Sequence, residues 1–194
     1  MKVAVLMGGR SAEREISLRT GQGVARALRA LGHETTSVDA ADGALLPAGG
    51  EEAGARPAAE VVRLPLGAQI RVVDVPAVRE ADVVYLALHG TYGEDGRIQA
   101  LLELAGKRYT GSGVLASALA MDKAMSKRMF TDAGVPTPRW VVRRAGERPQ
   151  EQDLAACGGL PVVVKPSEEG SSVALTIVER AADLAPAFDL AVPH

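Results

Sequence analysis

The sequence predicts an α/β protein: an amino-terminal doubly wound parallel sheet over residues 1–121, then an incomplete α+β lobe over 122–194. Three observations carry that prediction. Apolar residues 3–7 end at Gly8-Gly9 and lead into a helical repeat and a second strand, the strand, helix, strand order that builds parallel sheets. A second run, 83–88, is apolar without alternation, as in strands covered on both faces. Three β-branched residues, Val162, Val163 and Val164, then form a short buried strand that Pro166 prevents from continuing.

Residues 2–7 form the first strand. Ser17 can cap the helix that follows, whose apolar Val24, Leu28 and Leu31 recur at helical spacing, and Gly32 closes it just past the last turn. Residues 35–38 make the second strand, ending at Asp39. From 40 to about 80 the sequence is an exposed excursion rich in Gly, Pro and Ala, with 61–66 and 70–75 as the arms of a hairpin. Residues 82–88 are a third buried strand that delivers His89 to its carboxyl end, where open α/β sheets place ligands. Gly93-Glu94-Asp95-Gly96 leads into a helix with Ile98, Leu101, Leu102 and Ala105 on one face, and 109–113 form a fourth short strand and loop. One helix over 117–133 carries Lys123 and Lys127 and is stopped by Gly134 and Pro136. Residues 140–142 begin a new sheet, 151–157 are helical, strands at 162–164 and 173–178 flank a Ser-Ser flap, and a last helix covers 181–190. This second lobe leaves a sheet face and edge uncovered, which calls for more chain or a partner.

At 47% apolar and 3% aromatic residues, the core is built from Leu, Val and Ala. A net charge of −2 with no concentrated basic run argues against nucleic acid as a partner. The apolar run 3–7 is too short for a signal segment or a bilayer span, so no membrane is expected. A single cysteine, Cys157, excludes an internal disulfide, suits a reducing cytoplasm and reads as a packed or half-exposed side chain.

Chemistry concentrates in three places. Lys165 sits where a strand stops, and the hydroxyl-bearing loop behind it, anchored by Gly170, lets backbone N–H groups close on an anion; an ordinary surface lysine and polar turn share that composition. Lys123 and Lys127, one turn apart, read as a solvated basic face, or Lys123 joins Lys165 in clamping one triphosphate. Behind Gly8-Gly9 a dinucleotide site wants a third spaced glycine, and Glu13 stands near its place. An acid there repels phosphate and attracts an ammonium, and it equally suits a solvated first helical turn. Asp39 keeps the dinucleotide reading open, and His89 is either a satisfied strand-end histidine or a ligand contact.

Four segments in order carry a resemblance: 8–18, beginning Gly8-Gly9 and including Glu13; Ala87-Leu88-His89-Gly90 with Gly93-Glu94-Asp95-Gly96; Tyr109-Thr110-Gly111-Ser112-Gly113 with Met121-Asp122-Lys123; and Val164-Lys165-Pro166 through Glu169-Gly170-Ser171-Ser172-Val173. Together they resemble the D-alanine:D-alanine ligase family of ATP-grasp enzymes, which serve peptidoglycan synthesis. The likeness spans residue 2 to about 180, apart from 40–80. It implies a Rossmann-like pre-ATP-grasp domain followed by part of the central ATP-grasp lobe. By that similarity Glu13 would receive the ammonium of the first D-alanine, with His89 near its carboxylate. Ser171, on the flap, would join Glu13 in the hydrogen-bonded group that orders the lid, which makes Glu13 and Ser171 the catalytic candidates. Lys123, Lys165, Glu169 and Ser172 would bind ATP, Ser172 through its backbone. The resemblance implies joining of two D-alanines through a D-alanyl phosphate, attacked by the second amine in a closed site, in the cytoplasm and in a homodimer formed through the amino-terminal domain.

In the family a third domain follows, with the adenine hinge, the lid tyrosine, an arginine and the ligands of two Mg2+ ions. No metal ligand is assigned within these residues, and the chain is expected to be a fragment that binds ATP weakly and forms no dipeptide alone. Another ATP-grasp carboxylate–amine ligase, or a non-catalytic remnant that binds ligand only, fits the central lobe as well. The second substrate, D-alanine, D-lactate or D-serine, is chosen outside these residues.

Overall fold

A computed structural model describes residues 1–47, 67, 71–170 and 172–193, which fall into two compact units, Met1–Ala118 and Leu119–His194. In the first unit the order is β1 (Lys2–Met7), α1 (Arg14–Ala30), β2 (Glu34–Asp39), β3 (Leu45–Leu46), a 3-10 turn (Arg71–Asp74), α2 (Pro76–Arg79), β4 (Val83–Leu86), α3 (Arg97–Leu104) and α4 (Val114–Met121). The sheet runs β3-β2-β1-β4, with β1 parallel to both β2 and β4, and β3 antiparallel to β2.

β1 is apolar throughout because both its faces are covered. Val3, Val5 and Met7 pack with Leu18 and Ala25 of α1, while Ala4 and Leu6 pack on the other side with Val72, Val78, Ile98 and Leu102. Each of the Val, Leu, Ile and Met side chains among them contributes about 1.5–3 kcal/mol by leaving water, and each Ala methyl roughly 0.8. α1 comes close to the strand at Gly21, where an added Cβ would stand 2.5 Å from Met7 Cβ. It ends as the sequence predicts: Gly32 takes φ 81° and donates to Arg29 O, and the His33 amide reaches Leu28 O.

The structure departs from the sequence reading at several elements. Ser17 does not cap α1; the helix starts three residues earlier, and Ser17 is buried inside it, accepting from the Gly8 amide and donating to Ala87 O. The arm at 61–66 lies outside the described residues. Arg71–Asp74 is a 3-10 turn rather than the second arm, since Pro76 at the start of α2 fixes a helical φ and offers no ladder donor. The fourth strand shrinks to one parallel bridge, Val84 to Tyr109: the Thr110 hydroxyl takes the Leu86 amide that a continuing ladder would use. The helix expected over 117–133 is broken into α4 and α5 (Lys123–Asp132), because Asp122 adopts ψ 104° and its carboxylate caps the Ala124 and Met125 amides.

The second unit continues with α6 (Glu151–Cys157), β5 (Val162–Val164), β6 (Thr176–Val178), a 3-10 turn (Ala181–Asp183) and α7 (Leu184–Ala191). Residues 140–142 form no strand; β5 pairs with β6 alone, antiparallel, with Val163 opposite Ile177. Val162, Val164 and Val178 face Leu154, Leu184 and Ala187, whereas Val163 and Ile177 are 53% and 63% exposed. β5 is therefore half-buried, against the fully buried strand expected from its three valines. No helix of the described residues is long and apolar enough to cross a membrane.

Candidate active site

At the carboxyl ends of β1 and β4 the chain places Glu13, Ser11 and His89 together. Glu13 precedes α1 and is 4% exposed, an unusual burial for an acid. Its carboxylate lies directly against Gly90, where a Cβ would overlap Oε2, and Gly90 has φ 69°. Ser11 Oγ donates to the His89 carbonyl at 2.7 Å and accepts from the Glu13 amide at 3.2 Å. The half-buried His89 ring sets Nε2 3.2 Å from Thr20 Oγ1, so the tautomer and that contact are linked.

The acids of Gly93-Glu94-Asp95-Gly96 are used locally. Glu94 accepts from the Gly90 amide at 2.7 Å, and Asp95 from the Tyr92 amide at 2.7 Å; burial, then the Asp95 charge, pushes the Tyr92 hydroxyl pKa up. Asp39 gives both carboxylate oxygens to Arg14, and Oδ1 also accepts from Gly9 and Ala41 amides. It therefore holds the glycine turn from behind and, at 1% exposed, is turned into the protein and not toward a ribose, which argues against the dinucleotide reading. Sequence reasoning missed this role of Arg14 and Asp39, and that of Ser11; a hydroxyl directly after a glycine turn was the available signal for Ser11.

In the second unit, α5 and the loop after β5 gather three lysines. Lys123 Nζ donates to the carbonyls of Ser167, at 3.1 Å, and Glu169. Burial, then the like charge of Lys165, holds its ammonium pKa below the ordinary 10.5. Lys127 is lowered by the same two causes and donates to Thr137 Oγ1 and Pro138 O, so it is not the freely solvated charge that its spacing allowed. Lys165 is exposed. Glu169 contributes its carbonyl to Lys123, and Ser172 sits at φ 61°, with Ala174 at 49°, in a sequence of tight turns. Left-handed backbone at such residues costs about 1–2 kcal/mol each, and the Val173 and Leu175 amides close turns onto Gly170 O and Ser172 O. Ser171 lies outside the described residues.

Among the described residues no group of three or more His, Cys, Asp or Glu is placed to hold a metal. An open cavity of about 320 Å³ in the second unit, lined by Thr131, Thr137, Pro138, Arg139, Trp140 and Ala156, shares Thr137 and Pro138 with the Lys127 contacts and includes none of Lys123, Lys165, Glu169 or Ser172.

Fold and residues together define an α/β protein of two units, with a polar cluster at the carboxyl ends of parallel strands in the first and a lysine cluster in the second. The family model described as D-ala D-ala ligase N-terminus matches residues 2–112, and that described as D-ala D-ala ligase C-terminus matches 129–194. The chain belongs to the D-alanine–D-alanine ligase family. A curated D-alanine--D-alanine ligase of Syntrophotalea carbinolica is 42% identical, over 100% of this chain and 53% of its own length. Those of Polaromonas naphthalenivorans and Ralstonia pickettii are each 45% identical, over 98% of this chain and 50% and 48% of theirs. The chain thus spans about half the length of the curated relatives it matches.

Proposed function

We propose that these residues supply the first D-alanine site and an ATP phosphate-binding lobe of a ligase that joins two D-alanines through a D-alanyl phosphate. The observation that carries the reading is Glu13: a buried acid at the sheet's carboxyl end, held against Gly90 and beside His89. An acid for an ammonium and a ring N–H for a carboxylate are what a small zwitterion needs. In this reading the parallel sheet is the doubly wound pre-ATP-grasp domain, and the residues after 121 belong to the central ATP-grasp lobe.

Lys123 and Lys165 take phosphate oxygens, Glu169 and the Ser172 backbone lie on the flap beside them, and Ser171 keeps the lid role that the resemblance gives it. The fit to ATP rests on Lys123, an amine already drawn into protein and raised in energy by Lys165, which an anion would relieve. The γ-phosphoryl group moves to a carboxylate oxygen of the first D-alanine, ADP leaves, and the amine of the second D-alanine displaces phosphate as the peptide bond forms. Mg2+ would offset charge on the triphosphate; the described residues offer no cluster for it. A cytoplasmic enzyme of peptidoglycan precursor synthesis, dimeric through its first unit, is the setting that this reading carries.

Calorimetric titration tests it. D-alanine is expected to bind the chain, Glu13→Gln to abolish that binding while leaving ATP unaffected, and Lys165→Gln to weaken ATP while leaving D-alanine unaffected. D-alanine binding that survives Glu13→Gln would overturn the assignment.

A further inference from the structure

We infer that Ser11 is a positioning residue whose single hydroxyl sets the separation of Glu13 and His89. The inference rests on the amino-acid site proposed above. Glu13 and His89 come from different ends of the first unit's sequence and are brought together by two parallel strands. Both lie beyond the last rungs of the ladder, which ends at Leu6 and Leu86, so no strand hydrogen bond joins them directly.

Ser11 Oγ is the atom that spans the gap. It donates to the His89 carbonyl at 2.7 Å and accepts from the Glu13 amide at 3.2 Å, so one oxygen is bonded to the backbone of both residues. Its Cβ also stands close beneath Gly90: a Cβ added there would lie 3.4 Å from Ser11 Cβ and would overlap the Glu13 carboxylate. Ser17 makes a parallel bridge one layer deeper, from the Gly8 amide to Ala87 O, and is fully buried. The two serines divide the work. Ser17 joins the strand ends inside the core, where loss of the hydroxyl strands a buried amide and carbonyl. Ser11, half-buried, sits at the rim, where water can take over both partners if the hydroxyl is removed. Loss of Ser11 therefore loosens the spacing of the two ligand-facing residues and leaves the fold in place.

The test uses the full chain, D-alanine and ATP by calorimetry, and unfolding midpoints by circular dichroism. Ser11→Ala is expected to weaken D-alanine binding about fivefold to tenfold, the loss of one net hydrogen bond. ATP affinity and the midpoint should stay as in the unsubstituted chain. Ser11→Thr, which keeps the hydroxyl, should restore D-alanine binding, and Ser17→Ala should instead lower the midpoint. D-alanine binding by Ser11→Ala equal to the unsubstituted chain overturns the inference and leaves the amino-acid site standing. A fall in midpoint, in ATP binding or in folding yield with Ser11→Ala makes Ser11 structural and also overturns it. No D-alanine binding by the unsubstituted chain overturns both.

Discussion

Arg14 and Asp39 form a two-pronged ion pair sealed beneath the Gly8-Gly9 turn, with Nη1 3.0 Å from Oδ1 and Nη2 2.6 Å from Oδ2. Their side chains are 3% and 2% exposed, and Arg14 also donates to Gly9 O at 2.9 Å. Removing one partner abandons a buried charge, at about 3–5 kcal/mol, whereas replacing both by apolar groups can be close to neutral. Asp39→Asn and Arg14→Met are each expected to lower stability by that order in urea unfolding, and the double variant Arg14→Met with Asp39→Leu to recover at least half. A double variant no better than the singles would refute this account.

Gly90 and Gly134 share a backbone conformation, φ 69° and 70°, but not a neighbourhood. A Cβ at Gly134 meets open space, and one at Gly90 meets the Glu13 carboxylate. Alanine at either site should cost about 1–2 kcal/mol in thermal unfolding from strain alone. Only Gly90→Ala should also lose D-alanine binding, read by titration.

Asp122 is the cap that separates α4 from α5 and presents Lys123 on the first turn. Asp122→Ala should cost about 0.5–2 kcal/mol and loosen ATP binding, with Asp122→Ser restoring most of both. Equal urea midpoints for Asp122→Ala and the unsubstituted chain would contradict the capping role.

Lys123 loses its charge at a lower pH than an ordinary lysine, because burial and then Lys165 disfavour the ammonium. A group with a lowered pKa is cationic below that value, so ATP affinity should fall as pH rises toward 10.5, the ordinary lysine value. Lys165→Gln removes one of the two causes and should shift the fall to higher pH. Amine acetylation rates at Lys123, followed by mass spectrometry, give the same titration without ligand.

Asp153 pairs with Arg143, Oδ1 to Nη2 at 2.5 Å, and accepts from the Gln150 amide. The Arg143 hydrogen bonds hold its carboxyl below the ordinary 3.8. A depressed carboxyl pKa stabilises the fold above the unfolded value, and that contribution is lost as pH falls below 3.8 through the folded one. Fluorescence of Trp140, the chain's one tryptophan, should show an acid transition in that range that Asp153→Asn flattens.

β1 and β4 were legible because their apolar runs pack on two sides, β1 almost wholly buried and β4 with Val84 buried and its neighbours half-buried. Ser17 was misread because a serine ahead of an apolar repeat has the composition of a cap; its actual partners, Gly8 and Ala87, are set by tertiary packing. The break at Asp122 was written in the sequence, since aspartate favours the cap position, but the apolar content on both sides argued for continuity. Residues 140–142 have β-branched character but find no ladder partner among the described residues, and propensity without pairing makes no strand. Of the candidate site, Glu13, His89, Lys123 and Lys165 were visible as chemistry. The Ser167 and Glu169 carbonyls were not, because a backbone acceptor leaves no mark on residue type, and Ser11 Oγ was not, because its partner His89 O lies 78 residues away.

Gly21 has a consequence for how such a pocket can change. α1 rests on the sheet through an atom that glycine lacks, and a methyl group there would lever the whole rod away from Met7. The rod's leading end meets Glu13, eight residues and about 12 Å upstream. If Glu13 holds an amino acid as proposed, grip on it is adjustable from Gly21, a residue whose own contact is with the strand, and interior packing and recognition then bear on one and the same residue.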